Sequence, residues 1–226
     1  MSSPPRLICA NYTVGAPGAG KGTICTHLAE TYHLAHYSVG DNLRAWMRQN
    51  PSTALAADIR SKLDNQGFLT SETLNPFIYR AILDVANDDK SGVKGILIDG
   101  YPRCLEQLES FGSWPFEEIS PLVSGKEMRP DIVLSLEVTE QNAKDRYLSR
   151  SRDANDSEDK FQRRFAEYER ETRPAEEVYR QSGVLISVDV NGTKAENNDT
   201  LTKKLQESQL WREVIEERTR GVQFLV

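Results

Sequence analysis

A glycine-rich segment near the amino terminus, GAPGAGKGT at residues 15–23, constrains the fold of this chain more than any other feature. It follows a strand-like run, RLICANYTV at residues 6–14, and precedes a run with helical apolar spacing. A strand, a glycine-rich turn and a helix form the context of a phosphate-binding loop, in which backbone N–H groups and a lysine surround phosphate oxygens. The segment departs from the usual pattern because Gly22 separates Lys21 from Thr23.

Composition bounds the class of protein. The chain has 226 residues, 38% of them hydrophobic and 27% charged, which suits one large soluble domain. A formal net charge of −6 gives no reason to expect nucleic acid or an anionic membrane as a partner. No apolar run is long enough to span a membrane, and the start lacks the pattern of a secretory signal. The three cysteines show neither a disulfide framework nor the paired spacing of a zinc site, so we expect a cytoplasmic protein, with access to the nucleus left open.

Short apolar runs alternate with helical patterns along the rest of the chain. The runs at 95–103, 131–138 and 184–190 are typical of buried strands. Helices are predicted at about 41–48, 140–150, 157–181 and 199–219. A further helix is predicted to begin at a Ser52 cap and to carry Leu55, Ile59 and Leu63 on one face. Another is predicted around Leu74, Ile78 and Ile82, with Pro76 in its first turn. This alternation indicates a parallel sheet with helices on both faces.

The segment LIDGYPR at residues 97–103 carries a second set of candidate groups. Ligands of open parallel sheets gather beyond the carboxyl ends of the strands, and Asp99 lies at such an end. It is placed there to act through water on a Mg²⁺ ion held by a nucleotide. Arg103, held by a Gly-Tyr-Pro turn, presents a guanidinium suited to phosphate. The alternative is that Asp99 caps a turn and Arg103 forms a surface salt bridge.

Arginines are dense in the following part of the chain. A polar loop and the helix after it carry Arg146, Arg150, Arg152, Arg163 and Arg164. Converging arginines suit phosphoryl transfer, in which charge stabilisation dominates. The alternative is a set of solvated pairs at i, i+4 spacing, and we favour it for Arg163, Arg170 and Arg173, with Asp159–Arg163 and Glu169–Arg173 as the pairs.

Taken in order, these motifs resemble those of the nucleoside monophosphate kinases, most closely the short-lid branch of adenylate kinases and UMP/CMP kinases. The resemblance runs from about Leu7 to Leu205, and a glycine between the loop lysine and threonine is normal in that family. Further matching segments are HYSVGDNLR at 36–44, GFLT at 67–70 and LIDGYPRCLEQ at 97–107.

The resemblance implies roles for individual residues. It implies contact with the donor ATP for Gly15, Pro17, Gly18, Ala19, Gly20, Lys21, Gly22, Thr23, Arg146, Arg150 and Gly192. It implies contact with the acceptor monophosphate for Val39, Arg44, Phe68, Leu69, Thr70, Gly100, Tyr101, Arg103, Gln107, Arg152 and Arg164, among which Gln107 reads the base. The residues implied in the transfer itself are Lys21, Arg103, Arg150, Arg152 and Arg164, and those acting on the metal through water are Thr23 and Asp99.

The implied fold is α/β: a single P-loop kinase domain with a five-stranded parallel sheet flanked by helices. Its parts are expected to be a core at 6–37, 68–148 and 160–206, a flap that binds the monophosphate at 38–67, a short lid at 149–159, and a carboxyl-terminal extension at 207–226. The implied reaction is ATP + NMP ⇌ ADP + NDP, with Mg²⁺ bound with ATP and a monomer as the active form. We expect the extension, which contains Trp211, to dock as an amphipathic helix.

Departures from the family pattern leave the acceptor open. Val39 stands where Thr or Ala is usual, Thr70 where Val is usual, and the loop at 151–158 is a few residues shorter than a typical short lid. Gln107 resembles the adenine-reading Gln of adenylate kinases, but some UMP kinases also keep it. We therefore expect AMP as the acceptor, with UMP or CMP as the alternative. A regulatory protein that binds nucleotides without turnover is an alternative of another class, favoured only by the shortened lid.

Overall fold

The computed structural model describes residues 6–9, 17–65, 67–86, 92–113, 130–149 and 157–217. Its strands are Arg6–Cys9 (β1), Ala35–Ser38 (β2), Gly95–Asp99 (β3), Ile132–Glu137 (β4) and Leu185–Asp189 (β5). They form one sheet in the order β2-β3-β1-β4-β5, and every neighbouring pair is parallel. The predicted five-stranded parallel sheet is therefore present.

Helices connect the strands and cover the sheet. They are Lys21–Tyr32 (α1), Val39–Gln49 (α2), Ala54–Asn65 (α3), Ser71–Ala86 (α4), Leu105–Gly112 (α5), Glu140–Ser149 (α6), Glu158–Glu167 (α7), Arg173–Gln181 (α8), Lys194–Glu207 (α9) and Gln209–Trp211 (α10). A π-helical turn at Tyr168–Thr172 joins α7 to α8, and a second one at Arg212–Glu217 follows α10. None of the described helices is both long and apolar enough to cross a membrane.

The strand β3 shows how both faces of the sheet are buried. Successive side chains of a strand point to opposite faces. Leu97 packs on one face in a cluster with Leu28 of α1 and Trp211 of α10, whereas Ile96 and Ile98 pack on the other face. All five residues of this strand are buried. A continuous apolar run was therefore a sound signal for a strand covered on both sides.

The two helices of the predicted flap pack against the second face of the sheet. Leu43 and Met47 of α2 and Ile59 of α3 belong to the same buried cluster as the apolar side chains of α4 and β3. The Trp46 ring of α2 also meets the Phe77 ring of α4 edge to face, with 5.5 Å between centroids. In this structure the flap therefore shares a core with the rest of the chain.

The predicted cap of α3 was wrong, and one residue of its predicted apolar face is exposed. Thr53, not Ser52, provides the cap, because its hydroxyl accepts a hydrogen bond from the Ala56 backbone N–H at 3.2 Å. Ala56 and Ile59 are fully buried, while Leu55 is 37% exposed. The helix therefore starts one residue later than expected. Its buried face keeps Ile59 of the predicted stripe and contains Ala56 in place of Leu55.

Two other helices begin earlier than the sequence indicated. α4 starts at Ser71, so Pro76 lies inside the helix and not in its first turn. α9 starts at Lys194, not at about 199. The reason is a capping box, in which the Thr193 hydroxyl accepts from the Glu196 N–H at 3.4 Å and the Glu196 carboxylate accepts from the Thr193 N–H at 2.7 Å. This cap stabilises a start that the polar sequence did not suggest.

The carboxyl-terminal extension docks on the core as expected. Trp211 is fully buried and packs edge to face on Tyr32 of α1, with ring centroids 4.8 Å apart. Val214 and Ile215 join the same cluster. The extension therefore completes one face of the sheet up to Glu217. The remaining extension at 218–226, the predicted strand end at 10–14 and residues 114–129 lie outside the described residues.

Candidate functional site

A cavity of about 820 Å³ opens at the carboxyl ends of β2 and β3. We call it the central cavity. The predicted site residues on its wall are Pro17, Gly18, Ala19, Gly20, Lys21, Gly22, Thr23, Arg44, Phe68, Asp99, Gly100, Arg103, Arg146 and Arg164. Residues from six separated segments therefore meet at one place, as the topology of a parallel sheet predicts.

The glycine-rich loop brings the start of α1 to the wall of the cavity. Gly18 has a φ of +108°, and a Cβ there would lie 2.0 Å from the Ala143 carbonyl oxygen of α6. Gly20 precedes the helix with a left-handed backbone, φ 86°. Only glycine allows this close approach and this turn, which leave Lys21 and the first N–H groups of α1 at the cavity. A helix amino terminus with a lysine beside it is suited to bind phosphate.

Arg103 is held in place from several sides. Its Nε donates to the Gly100 carbonyl oxygen at 3.0 Å, and its backbone N–H donates to the Gln107 Oε1 at 2.6 Å. Its own carbonyl oxygen accepts from the Thr172 hydroxyl at 2.9 Å. The guanidinium lies over the Phe68 ring, 6.0 Å from the centroid. These contacts preorganise a planar cation for an anionic ligand.

The electrostatics around Arg103 are those of an anion site. Burial lowers the pKa of its guanidinium, the nearby Asp99 carboxylate opposes that shift, and Arg164 and Arg44 add to it. The cations are therefore close enough to repel one another. A bound phosphate relieves that repulsion, because it brings negative charge between them.

Two other cations at the cavity, Arg44 and Arg146, have partners of their own. Arg44 pairs with Asp41 at 2.6 Å, between its Nη2 and the carboxylate Oδ1. Arg146 donates from Nη1 to the Val190 carbonyl oxygen at 2.7 Å and from Nη2 to the Gly192 carbonyl oxygen at 2.6 Å. The predicted donor-base residues Arg146 and Gly192 are thus bonded to each other, although Gly192 is not on the cavity wall.

Several acceptor-site predictions fall behind the wall instead of on it. Val39, Leu69 and Tyr101 are buried, and Thr70 is exposed outside the cavity. Gln107 is only 1% exposed. Its Nε2 donates to the Leu69 carbonyl oxygen at 2.8 Å, while its Oε1 accepts from Arg103. In this structure Gln107 therefore ties the 67–70 segment to the Arg103 turn through both groups of its amide.

Residues on the helix after the predicted lid also reach the cavity. The sequence singled out Arg164, but Glu167, Tyr168 and Thr172 lie on the same wall. Burial raises the pKa of the Glu167 carboxyl, although Arg103 and Arg164 oppose that shift. Helical spacing from Arg164 at i+3 and i+4 was a signal that could have found Glu167 and Tyr168. Nothing in the sequence marks the π-helical turn that carries Thr172.

The three arginines expected to form solvated pairs do lie away from the cavity. Arg173 pairs with Glu169 at 2.7 Å, as predicted, and Arg170 pairs with Glu171 at 2.8 Å. Arg163 is exposed, and its Nε donates to the backbone carbonyl oxygen of Asp159 at 3.3 Å instead of to the carboxylate. The predicted Asp159–Arg163 ion pair is therefore replaced by a hydrogen bond within the helix.

The oxygen donors at the cavity fit the predicted divalent cation. Asp99 is 8% exposed at the end of β3, and Thr23 is exposed in the first turn of α1. Both line the cavity beside Lys21. Carboxylate, hydroxyl and water oxygens are the ligands that Mg²⁺ prefers. The site residues Gly15, Arg150 and Arg152 and most of the predicted lid lie outside the described residues.

Comparison with known proteins identifies the family. The family model named adenylate kinase matches residues 13–184. An adenylate kinase of Synechococcus sp. (strain WH7803) is 33% identical over 195 residues, which cover 86% of this chain and 95% of that protein. An adenylate kinase of Synechococcus sp. (strain CC9311) is 35% identical over 180 residues, 80% of this chain and 89% of that protein. The similarity extends to adenylate kinase 1 of Schistosoma mansoni, 27% identical over 198 residues, 86% of this chain and 91% of that protein. The chain belongs to the adenylate kinase family of phosphotransferases.

Proposed function

We propose that this phosphotransferase moves the γ-phosphoryl group of ATP to AMP, giving two ADP. The observation that carries the proposal is the convergence of Lys21 at the start of α1 with Arg44, Arg103 and Arg164 on one cavity. Four cations around a single cavity suit a pair of nucleotides whose phosphates meet end to end. The relatives at 33% and 35% identity are named adenylate kinases, which supports AMP as the acceptor.

The donor end of the site is proposed to be the glycine-rich loop with α1 and α6. The helix amino terminus and Lys21 would bind the β- and γ-phosphates. Arg146, fixed by its two hydrogen bonds to the loop after β5, would lie against the donor base. Gly192 in that loop would contact the adenine through its backbone.

The acceptor end is proposed to be the flap with the Arg103 turn. Arg44 would exchange its Asp41 partner for the acceptor phosphate, and Arg103 would bind the same phosphate from its fixed position. Phe68 adds an apolar surface beside Arg103. Gln107 supports this end by holding the Arg103 turn, and it would need to leave the Leu69 carbonyl oxygen to read a base.

The chemistry needs positioning and positive charge more than covalent catalysis. Phosphoryl transfer is in line, and the protein acts by aligning the two phosphates and neutralising charge in the transition state. Arg103 and Arg164 would provide that charge, joined by Arg150 and Arg152. Mg²⁺ bound with ATP neutralises part of the phosphate charge, and Thr23 and Asp99 would orient its water ligands.

We also propose the division of the domain into moving parts. Residues 38–67 would act as the flap over the acceptor and residues 149–159 as the lid over the donor, on a core formed by 6–37, 68–148 and 160–206. Closure of both would exclude water, which otherwise accepts the phosphoryl group. The active form is proposed to be the monomer.

UMP or CMP is the second candidate acceptor. The observation that favours it is that both amide groups of Gln107 bond within the protein, to Leu69 and Arg103. Val39 is also buried, and it offers no hydroxyl for an adenine-specific contact. A nucleotide-binding protein without turnover is the remaining candidate. It is disfavoured because Lys21, Arg103 and Arg164 all line the cavity.

A coupled assay with ATP and Mg²⁺ distinguishes these candidates. AMP, UMP, CMP and dCMP are presented separately, and we expect the highest kcat/KM with AMP. A clear preference for a pyrimidine would contradict the proposed acceptor, and equal negligible rates with all four would favour the binding protein. Lys21→Met should lower kcat by orders of magnitude with the fold intact, while Lys203→Met, at an exposed position of α9, should leave it unchanged.

A further inference from the structure

Three side chains of the types that can bind a metal ion come from separate parts of the chain and meet beside the central cavity. Cys25 comes from α1, His36 from β2 and Asp99 from the end of β3. One donor atom from each lies within 4.8 Å of the others, and this is the one such group of three among the described residues. No zinc pattern was visible in the sequence because these side chains are far apart along the chain.

The spacing suits a tetrahedral ion after small side-chain movements. Zinc binds sulfur at about 2.3 Å and nitrogen or oxygen at about 2.0–2.2 Å, so its ligand atoms lie roughly 3.3–3.7 Å apart. The His36 Nε2 is 3.9 Å from the Asp99 Oδ2, which is too long for a hydrogen bond and close to that spacing. Three protein ligands leave the fourth position open to water from the cavity.

One of the three side chains has a buried polar atom that no hydrogen bond from the described residues satisfies. The His36 Nε2 is buried and has no hydrogen-bond partner within the described part of the chain. Cys25 is a free thiol with no exposed surface. Buried polar atoms of native proteins nearly always have a partner, so the imidazole nitrogen calls for one. A metal ion would provide a partner to all three side chains at once.

The local charges decide which ion fits. Burial and the Asp99 carboxylate raise the pKa of the Cys25 thiol, while Lys21 lowers it. The thiol is therefore protonated without a metal, and the ion must displace that proton. A thiolate with an imidazole and a carboxylate favours Zn²⁺ over Mg²⁺, which prefers oxygen ligands. Asp99 attracts the cation and Lys21 opposes it, which moderates the affinity.

We propose that Cys25, His36 and Asp99 form a Zn²⁺ site, and that Zn²⁺ bound there inhibits the enzyme. The binding part stands on the geometry alone. The inhibitory part rests on the proposed function, because the ion would engage the Asp99 carboxylate and place a second cation beside Lys21. Zinc in this position would disturb the arrangement of ATP phosphates and Mg²⁺ at the start of α1.

The binding test uses the full chain without nucleotide and with Mg²⁺ present. Calorimetric titration with Zn²⁺ should give one ion per chain. Removing an outer partner of a zinc ligand costs about 10–100-fold in affinity, so Cys25→Ala and His36→Gln should each weaken binding by at least about 100-fold. Cys104→Ala removes a half-buried thiol outside the group and should leave binding unchanged.

Co²⁺ gives an independent spectroscopic readout. It should produce a near-ultraviolet thiolate charge-transfer band that Cys25→Ala abolishes and Cys104→Ala retains. Absence of Zn²⁺ binding at micromolar concentration, or binding that neither Cys25→Ala nor His36→Gln weakens, would overturn the site. His36 has a partly exposed side chain, so His36→Gln keeps the test valid if Cys25→Ala folds poorly.

Inhibition is measured as the transfer rate with Zn²⁺ relative to the zinc-free rate of the same variant. Wild type and Cys104→Ala should be inhibited at concentrations at which His36→Gln is not. Binding that leaves the wild-type rate unchanged would overturn the inhibitory part. A chain that binds Co²⁺ through Cys25 but transfers no phosphoryl group without zinc would contradict the proposed function and support the site.

Discussion

At the residue scale, the clearest pH-dependent group is a buried carboxyl in α8. Glu176 is 6% exposed and accepts a hydrogen bond from the Ser135 hydroxyl at 2.7 Å. Burial raises its pKa to about 7, although the Ser135 hydrogen bond and the charges of Arg180 and Arg173 oppose that shift. Desolvation therefore outweighs the favourable contacts in the ionised state.

The sign of the resulting pH dependence follows from the raised pKa. The folded state holds the proton up to about pH 7, whereas the unfolded chain releases it near its ordinary value of 4.5. The stabilisation that comes from the protonated Glu176 carboxyl is complete below pH 4.5 and is lost as the pH rises through about 7. Glu176→Gln cannot ionise and its Oε1 still accepts from Ser135. We expect it to exceed wild type in free energy of unfolding by about 3 kcal/mol at about pH 8 and by less than about 1 kcal/mol at about pH 5.

Urea unfolding at the two pH values measures this difference. The matched control is Glu177→Gln, the adjacent residue, whose exposed carboxylate pairs with Arg180 at 3.4 Å. An exposed ion pair contributes little, so the control should follow wild type at both pH values. An equal effect of Glu176→Gln at about pH 5 and about pH 8 would show that the carboxyl does not titrate in this range.

Individual site residues were predictable where a local pattern fixes their position. Lys21 follows a glycine-rich loop and Asp99 ends a buried strand, and both line the cavity as expected. The partners of Gln107 were not predictable, because its amide bonds to Leu69, which is 38 residues away in sequence. Such hydrogen bonds depend on how distant segments pack, and no spacing in the sequence records them.

At the scale of elements, the π-helical turn between α7 and α8 supports the Arg103 turn, which we propose as part of the acceptor site. It carries Thr172, which is 5% exposed and donates its hydroxyl hydrogen to the Arg103 carbonyl oxygen at 2.9 Å. Thr172→Val keeps the shape and removes the donor. A lost hydrogen bond costs about 0.5–1.5 kcal/mol, so we expect the KM for the acceptor to rise about 3–10-fold while the KM for ATP stays unchanged.

Steady-state kinetics with each substrate varied in turn test this positioning role. Thr172→Ser keeps the hydroxyl and should restore the wild-type KM for the acceptor. If both variants raised the two KM values alike, the effect would be a general loss of packing. A wild-type KM for the acceptor in Thr172→Val would show that the hydrogen bond does not position Arg103.

The positions of strands were predictable where both faces of the strand are buried. The starts of helices were predictable only where the sequence contains a recognisable cap. β3, β4 and β5 lie within the predicted apolar runs, because a strand covered on both sides needs continuous apolar residues. The start of α9 was missed although Thr193 and Glu196 have the spacing of a capping box. The predicted cap of α3 was Ser52, whereas the observed cap is the next residue, Thr53, which also carries a hydroxyl. Only tertiary packing decides between these two neighbouring caps.

At the scale of the whole molecule, the question is whether the flap unfolds with the core. Leu43 and Met47 of α2 are buried in one cluster with Ile98 of the sheet. Unfolding the flap alone would expose that apolar surface, at about 25 cal/mol per Å². We therefore expect one cooperative transition. The tryptophans Trp46 and Trp211 report on it from opposite faces of the sheet.

Two variants separate these two fluorescence signals. Both carry Trp114→Phe, which removes the third tryptophan of the chain. Adding Trp211→Phe leaves Trp46 as the reporter of the flap, and adding Trp46→Phe leaves Trp211 as the reporter of the docked extension. Each variant is unfolded in urea, and its fluorescence midpoint is compared with its own circular dichroism midpoint, so a change in stability between variants does not matter. We expect the two midpoints to coincide in both variants. A Trp46 transition at lower urea than the dichroism of the same variant would show that the shared cluster is too weak to couple the flap to the sheet, and that the flap opens as a separate unit.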